Sequence, residues 1–377
     1  MPAPLSQQIA PPVVPASGHV KIGLIAPFSG VYRNIGPVMH DAFQRALADH
    51  ASRQQSVDVA RADETPDVPT AMNNLHDLVE RQHANVLTGF FSTTTAYAAH
   101  GYVQDRQLVT VAAVAGGGQL TDTLKSPYLF QAGSSVAQLG HPAGSWAAAN
   151  LGRRAVTVTP DDDYGREIGA AFMEAFRAGG GEIVGNLQPK AATPDYGPFL
   201  PQLVAAKPEL VFVFAAGLDA ATFTRQFDQF GAKNDVHLFG TGDFVAEDTL
   251  TDSRQAALGA KSVAAWAWGI DNPDNKQLIN AFFSAYKHRL NEYAVQQYDA
   301  TRLLLAGLDA VQWDVSDPGA LVRAIEAVHL DSVRGPLSVD PITHGLGQNV
   351  YIREVREVSG ELHNLVLDTF QNVPAAA

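Results

Sequence analysis

Cysteine is absent from the 377-residue chain. That removes disulfides, thiolate metal sites and cysteine nucleophiles together, and it is compatible with an oxidising compartment without requiring one. No apolar run reaches the roughly eighteen residues that a spanning helix needs. No lysine and arginine block offsets the formal charge of −13, and the pI is near 5.3, so a nucleic-acid partner is not expected. The twelve histidines are scattered without HExxH or any paired metal spacing, so no metal or other cofactor is expected. Neither GxGxxG nor GxxxxGK[ST] occurs at Gly116-Gly117-Gly118, which leaves a plain turn or a close approach of backbone to something else. The nucleophile elbow GxSxG is missing, and Ser29, Ser92 and Ser134 have no evident base partner. An enzyme is not expected.

The chain has a strong alternation of short apolar runs and helix-period segments. Val20 to Ile25 leads through the turn Ala26-Pro27-Phe28-Ser29-Gly30 into a stretch carrying Met39, Phe43 and Leu47. Val57 to Ala60 precedes a helix expected from Asp67 to Gln82, and Asn85 to Gly89 precedes one from Thr93 to Arg106. Leu108 to Ala112 follows. A second series starts near Ala155 to Thr159 and continues through Glu182 to Val184, Leu210 to Phe214 and Val236 to Phe239. This pattern indicates βαβ units on parallel sheets. The continuously apolar run from Leu210 to Ala216 predicts an interior strand covered on both faces. From Asp274 to Val328 the pattern is mostly helical, and two hairpin strands, Gln348 to Val358 and Leu362 to Thr369, close the chain around Ser359-Gly360. At this length two lobes are expected, with the chain crossing between them more than once. Residues 1–18, rich in proline and alanine, lack the basic start and long apolar segment of a signal peptide and read as a flexible leader.

Polar turns at the carboxyl ends of parallel strands are where open α/β sheets bind ligands. Ser92-Thr93-Thr94 stands where a strand gives way to a helix, so its hydroxyls and free amides suit an anion such as a carboxylate. Simple N-capping by Ser92 or Thr93 is the plainer role, and the two are compatible. Asp161-Asp162-Asp163-Tyr164-Gly165 opens another helix. Its acids favour that helix N-terminus, and Tyr164 either faces a cleft or packs locally.

Six stretches carry a resemblance. These are Ile22-Gly23 with Pro27, Ser29-Gly30 and Gly36; Gly89 with Ser92-Thr93-Thr94; Gln119-Leu120-Thr121; Asp163-Tyr164-Gly165; Arg225-Gln226 with Gly231; and Tyr298-Asp299-Ala300. In order and nearly constant spacing from His19 to Phe370, they resemble the branched-chain amino acid (Leu/Ile/Val) binding protein family, the type I periplasmic solute receptors of ABC importers. The resemblance implies an α/β fold of two Rossmann-like lobes joined by a three-segment hinge and closing on a ligand like a flytrap. It divides the chain into an N-terminal lobe, 19–135 plus 265–337, and a C-terminal lobe, 136–264 plus 338–372. It also implies a periplasmic location, a permease partner and a monomer.

The resemblance carries the ligand carboxylate onto Ser92, Thr93 and Thr94, beside Phe91. It carries the amino-group turn onto Val114, Ala115 and Gly116, where the usual hydroxyl is missing. The tyrosine often supplied by the Leu210 strand is Ala216 here, next to Gly217. The acid that usually pairs with the ammonium is Gly242, with Asp243 and Phe244 beside it. Tyr164 carries over directly. A buried ammonium without acceptors costs several kcal/mol, of order 2–7 for a polar group, so an aromatic acid is favoured over a branched aliphatic amino acid. Phe28, Tyr32, Phe90, Phe91, Phe244, Trp266 and Trp268 are available to stack on such a ring, although half or more of such rings usually belong to the core. Arg33 can bond a carboxylate or sit at the rim. The alternatives are an amino acid receptor and a ligand-sensing domain for a signalling partner.

Overall fold

The computed structural model describes residues 19–50, 57–191 and 193–376; the leader lies outside the described residues. The first sheet contains β1 (Lys21–Ala26), β2 (Asp58–Asp63), β3 (Val86–Gly89), β4 (Thr110–Ala112) and β5 (Leu129–Gln131) in the order β2-β1-β3-β4-β5. Every neighbouring pair is parallel. It is served by α1 (Ile35–Asp49), α2 (Val68–Glu80) and α3 (Thr93–Asp105). Local chemistry sets these helix starts. The Asp67 carboxylate accepts the Thr70 amide at 3.0 Å ahead of Pro69, and the Ser92 hydroxyl accepts the Thr95 amide at 3.2 Å.

The chain then enters a second sheet through α4 (Val136–Asn150), started by the reciprocal Ser135 and Gln138 capping box. Its strands are β6 (Arg154–Val158), β7 (Glu182–Leu187), β8 (Leu210–Val213), β9 (His237–Thr241) and β10 (Lys261–Ala264). Between them lie α5 (Asp163–Ala178), α6 (Leu200–Ala205), α7 (Leu218–Gln229) and α8 (Leu250–Ser253). As its apolar run predicts, β8 is interior, paired with β6 and β9. The chain returns through α9 (Pro273–Tyr286), α10 (Glu292–Ala310) and α11 (Pro318–Glu326). It finishes in β11 (His329–Ser332), β12 (Gly335–Val339), β13 (Leu346–Val358) and β14 (Glu361–Val373). The full second order is β11-β12-β13-β10-β9-β8-β6-β7, with β14 on β13.

The sequence reading includes the hairpin β13–β14, whose turn has positive φ at both Ser359 and Gly360. It does not include the short strands β5 and β10 or the hairpin β11–β12. Each is only three to five residues long, too short to show a period.

Two features fix where the lobes meet. The first is that α10 packs in the first-sheet core, with Leu303, Leu304 and Leu308 among Ile22, Met39 and Phe43. Its first turn faces the second sheet instead: the Tyr293 hydroxyl donates to Asp243 at 2.9 Å, and Asn291 donates to Asp248 at 2.9 Å. The second feature is a buried polar network at the crossovers. Arg334, fully buried, donates to Asp299 at 2.7 Å, to the Ala132 carbonyl at 3.3 Å and to Gln348. Gln348 in turn donates to Gln138 at 2.7 Å. These five residues come from the end of the first sheet, α4, α10, the β11–β12 turn and β13, so one ion pair ties the crossover segments together.

Candidate functional site

Strand order reverses at β1 in the first sheet and at β6 in the second, since β2 and β7 lie to one side and β3 and β8 to the other. Loops leaving the carboxyl ends on either side of such a reversal diverge and open a crevice. The two crevices face each other across a cavity lined by Tyr32, Phe91, Ser92, Thr93, Thr94, Val114, Ser134, Leu139, Asp162, Tyr164, Phe214, Asp243, Glu292 and Gln296.

The first-lobe wall is built by a sharp turn after β3. Gly89 has φ +112°, and a Cβ there would lie 2.0 Å from the Ile25 carbonyl oxygen, so only glycine fits. The chain then delivers the Phe91 and Ser92 amides to the buried Glu64 carboxyl, at 2.7 and 3.0 Å. Burial pushes Glu64 up to about 8, against those amide bonds. With Ser92 capping Thr95, the first two amides of α3, on Thr93 and Thr94, make no hydrogen bond among the described residues. They are unpaired donors at a positive helix end, which suits an anion. The Thr94 hydroxyl stands beside them, whereas that of Thr93 accepts the Gly116 amide at 3.3 Å.

Aromatic rings form the sides. Tyr32 and Phe91 have ring centroids 4.9 Å apart, and Phe91 meets Tyr293 edge-on at 5.7 Å. Across the cavity Tyr164 meets Phe214 edge-on at 4.8 Å. A flat ligand ring is therefore met by aromatic surface from both lobes.

The remaining wall is acidic. Asp162 accepts the Gly165 amide at 2.7 Å as the cap of α5. Asp243 accepts from Tyr293, and Glu292 lies 3.0 Å from Arg353. Burial raises Asp162 and Asp243 and pushes Glu292 up to about 8 despite Arg353. No lysine or arginine is among the lining residues.

Of the residues expected from sequence, Tyr32, Phe91, Ser92, Thr93, Thr94, Val114, Tyr164 and Asp243 are brought together around the cavity. The others are placed elsewhere. Arg33 turns outward and donates to the Gly30 carbonyl at 3.1 Å. Ala115 is buried, its amide bonded to the Phe90 carbonyl at 2.8 Å. Gly116 is wedged behind the wall, where a Cβ would meet the Ser134 carbonyl and the Tyr164 ring. Ala216 is buried, and Gly217 packs against Val31 and Asn34 of the opposite lobe with φ +58°. Phe244 belongs to the second-lobe core. Trp268 stacks on His363 with centroids 3.9 Å apart and lines a separate groove with Ile279 and Leu365. Phe90 and Trp266 are fully buried core.

Sequence reasoning does not single out Leu139, Phe214, Glu292 or Gln296 for the site, and it treats Ser134 and Asp162 as a serine without a base and a helix-end acid. Phe214 was visible as the end of the β8 run. Glu292 and Gln296 are four residues apart in a helix that also carries Gln297, Asp299, Thr301 and Arg302, so their spacing does not mark out the face that meets the cavity. The idea that acceptors for an ammonium are missing also needs correction. A Cβ at Gly242 would lie 2.0 Å from Glu292 Oε2, so an acid from α10 fills the space beside that glycine.

Residues 19–361 match the family described as periplasmic binding protein. The chain is 26% identical over 360 residues to a Leu/Ile/Val-binding protein homologue of Brucella melitensis, covering 93% of this chain and 92% of that one. Its structure is similar to an ABC-transporter solute-binding protein from Rhodopseudomonas palustris BisB5 in complex with 3,4-dihydroxybenzoic acid, at 30% identity and a TM-score of 0.90 over 95% of this chain and 98% of that one. A counterpart from strain HaA2 in complex with p-hydroxybenzoic acid gives 28% identity and a TM-score of 0.89, with the same coverage. Two facing α/β lobes around one cavity, matched over nearly the whole chain, place this protein in the periplasmic binding protein family.

Proposed function

We propose that the chain is an extracytoplasmic receptor that captures a small aromatic carboxylate between its lobes and delivers it to the permease of an ABC importer. One observation carries this reading: unpaired amides at the N-terminus of α3 open into a cavity walled by Tyr32, Phe91, Tyr164 and Phe214. The carboxylate is received by the Thr93 and Thr94 amides and the Thr94 hydroxyl, and the ring lies among the aromatic side chains. The expected moving units, 19–135 with 265–337 and 136–264 with 338–372, meet within β12. On this reading the ligand is released unchanged to the permease. The aryl acids bound by the R. palustris relatives support the same class of ligand.

A second reading has its own observation. Asp162, Asp243 and Glu292 are acceptors for an ammonium, so an amino acid is the alternative. A thermal-shift screen separates the two, because a ligand at 100 times its Kd adds about 2.7 kcal/mol. Stabilisation by benzoate and 4-hydroxybenzoate, and none by leucine, valine or phenylalanine, is expected. The reverse pattern would replace the aromatic acid by an amino acid.

A further inference from the structure

We propose that Glu292 and Gln296 on α10, with Asp243 facing them, determine specificity by reading a hydrogen-bonding substituent on the ligand ring. The proposal rests on the aromatic-acid reading and deepens it. Glu292 and Gln296 are one helical turn apart, so both side chains leave the same face of α10, and both line the cavity.

Gln296 is the more telling of the two. It is 6% exposed, and its Oε1 has no hydrogen-bond partner. No hydrogen bond from its side-chain nitrogen exists among the described residues either. Whichever way the amide is turned, its buried end is left without a partner at the wall of the cavity. A buried amide left unpaired costs of order 1–3 kcal/mol, and a ligand group that pairs it removes that cost.

Glu292 is held in place from behind. Arg353, almost fully buried, donates to Glu292 Oε2 at 3.0 Å, to Ser262 at 3.0 Å and to the Trp266 carbonyl at 2.6 Å. Gly242 leaves the room in which Oε2 sits. Asp243 is similarly fixed by Tyr293 at 2.9 Å. None of these three polar groups is a cation and two of them are carboxyls, so the unpaired amides at the positive end of α3 are the better place for the ligand's carboxylate. Their partner is the other end of the ligand. A phenolic hydroxyl both donates and accepts, and it pairs with a carboxyl in either protonation state and with an amide in either orientation. An unsubstituted ring leaves all three groups facing apolar carbon, and sites built around a hydroxyl discriminate strongly against analogues that lack it.

Isothermal titration of the full chain with benzoate and 4-hydroxybenzoate tests this, using the parent, Gln296→Leu and Glu292→Gln. The parent is expected to prefer 4-hydroxybenzoate by at least about tenfold, the value of one hydrogen bond to a charged or buried group. Gln296→Leu, close in volume and without polar atoms, is expected to remove most of that preference by weakening 4-hydroxybenzoate more than benzoate. Glu292→Gln is expected to reduce it as well. Circular dichroism melts establish that each variant folds, and Gln296→Leu buries no new polar group. Binding of both aryl acids with no preference in the parent, or equal losses for both ligands in Gln296→Leu, overturns the proposal and leaves the aromatic-acid reading standing. Binding of neither aryl acid by the parent overturns both.

Discussion

Removing one carboxylate at the edge of the cleft should weaken binding without touching the ligand. Glu167 on α5 of the second lobe accepts three hydrogen bonds from the first lobe. The Tyr97 hydroxyl donates at 2.7 Å, the Gly118 amide at 2.7 Å and the Gln119 side chain at 3.3 Å. Tyr97 also accepts the Gln119 amide at 3.2 Å, so its hydroxyl is aimed at Glu167. Glu167 itself does not line the cavity. In an open molecule water would solvate this carboxylate, so only the net value of the bonds favours closure. That value is about 0.5–1.5 kcal/mol for an ordinary bond. Two short bonds to a partly exposed carboxylate are thus worth about 1–2 kcal/mol together, and the 3.3 Å contact adds little. Glu167→Ala should therefore raise Kd by about 5–30-fold, with most of the change in the dissociation rate because the contacts form after the ligand has docked. Titration calorimetry and stopped-flow dissociation with 4-hydroxybenzoate measure both, and small-angle scattering should show a larger radius of gyration for the ligand-free variant. A double-mutant cycle with Tyr97→Phe isolates the pair. Unchanged Kd and dissociation rate in Glu167→Ala, or strictly additive effects with Tyr97→Phe, would refute the latch.

Thr94→Val keeps the shape of the α3 N-terminus and its amides but removes the free hydroxyl, and should weaken aryl carboxylates by about 1 kcal/mol, roughly fivefold, in equilibrium dialysis. Asp299→Asn leaves Arg334 buried and charged at the crossovers; a loss of about 3–5 kcal/mol is expected, read as a lower urea midpoint with the slope unchanged. Stability should also depend on pH with a defined sign. Glu64 and Glu292 rise from 4.5 to about 8 on folding, so the folded chain holds protons that the unfolded chain has released. Their contribution is full below about 4.5 and is lost as pH rises through about 8, by up to about 1.4 kcal/mol per pH unit for each group. Glu64→Gln should flatten that slope between pH 5 and 8 in urea titrations. An unchanged slope would mean that Glu64 stays ionised at neutral pH.

How much of this was legible in the sequence depends on which force positions each residue. The alternating runs are local, so β1, β3, β6, β8 and their helices could be read from period and capping, with Thr93 beginning α3 as expected. The first-lobe wall was readable for the same reason. Ser92 to Thr94 stand at a strand-to-helix junction, and such junctions lie at the carboxyl edge of a parallel sheet. The acidic wall was not readable, because α10 belongs by packing to the first lobe and shows its polar turn to the second. No pattern inside α10 tells which of its faces meets a cleft whose other lining runs from Tyr32 to Asp243. Aromatic residues were ambiguous in the same way. Tyr32 and Trp268 look equally available in sequence, yet one lines the cavity and the other stacks on His363, since β14 supplies a partner only after the hairpin folds back.

The central claim is that the cavity takes an aromatic ring bearing one carboxylate. Calorimetric titration of the purified chain with 4-hydroxybenzoate and with L-leucine, in the same buffer near pH 7, tests it most directly. The account predicts saturable binding of one 4-hydroxybenzoate per chain and no heat of binding from leucine. Saturable leucine binding with no response to 4-hydroxybenzoate or benzoate would contradict it.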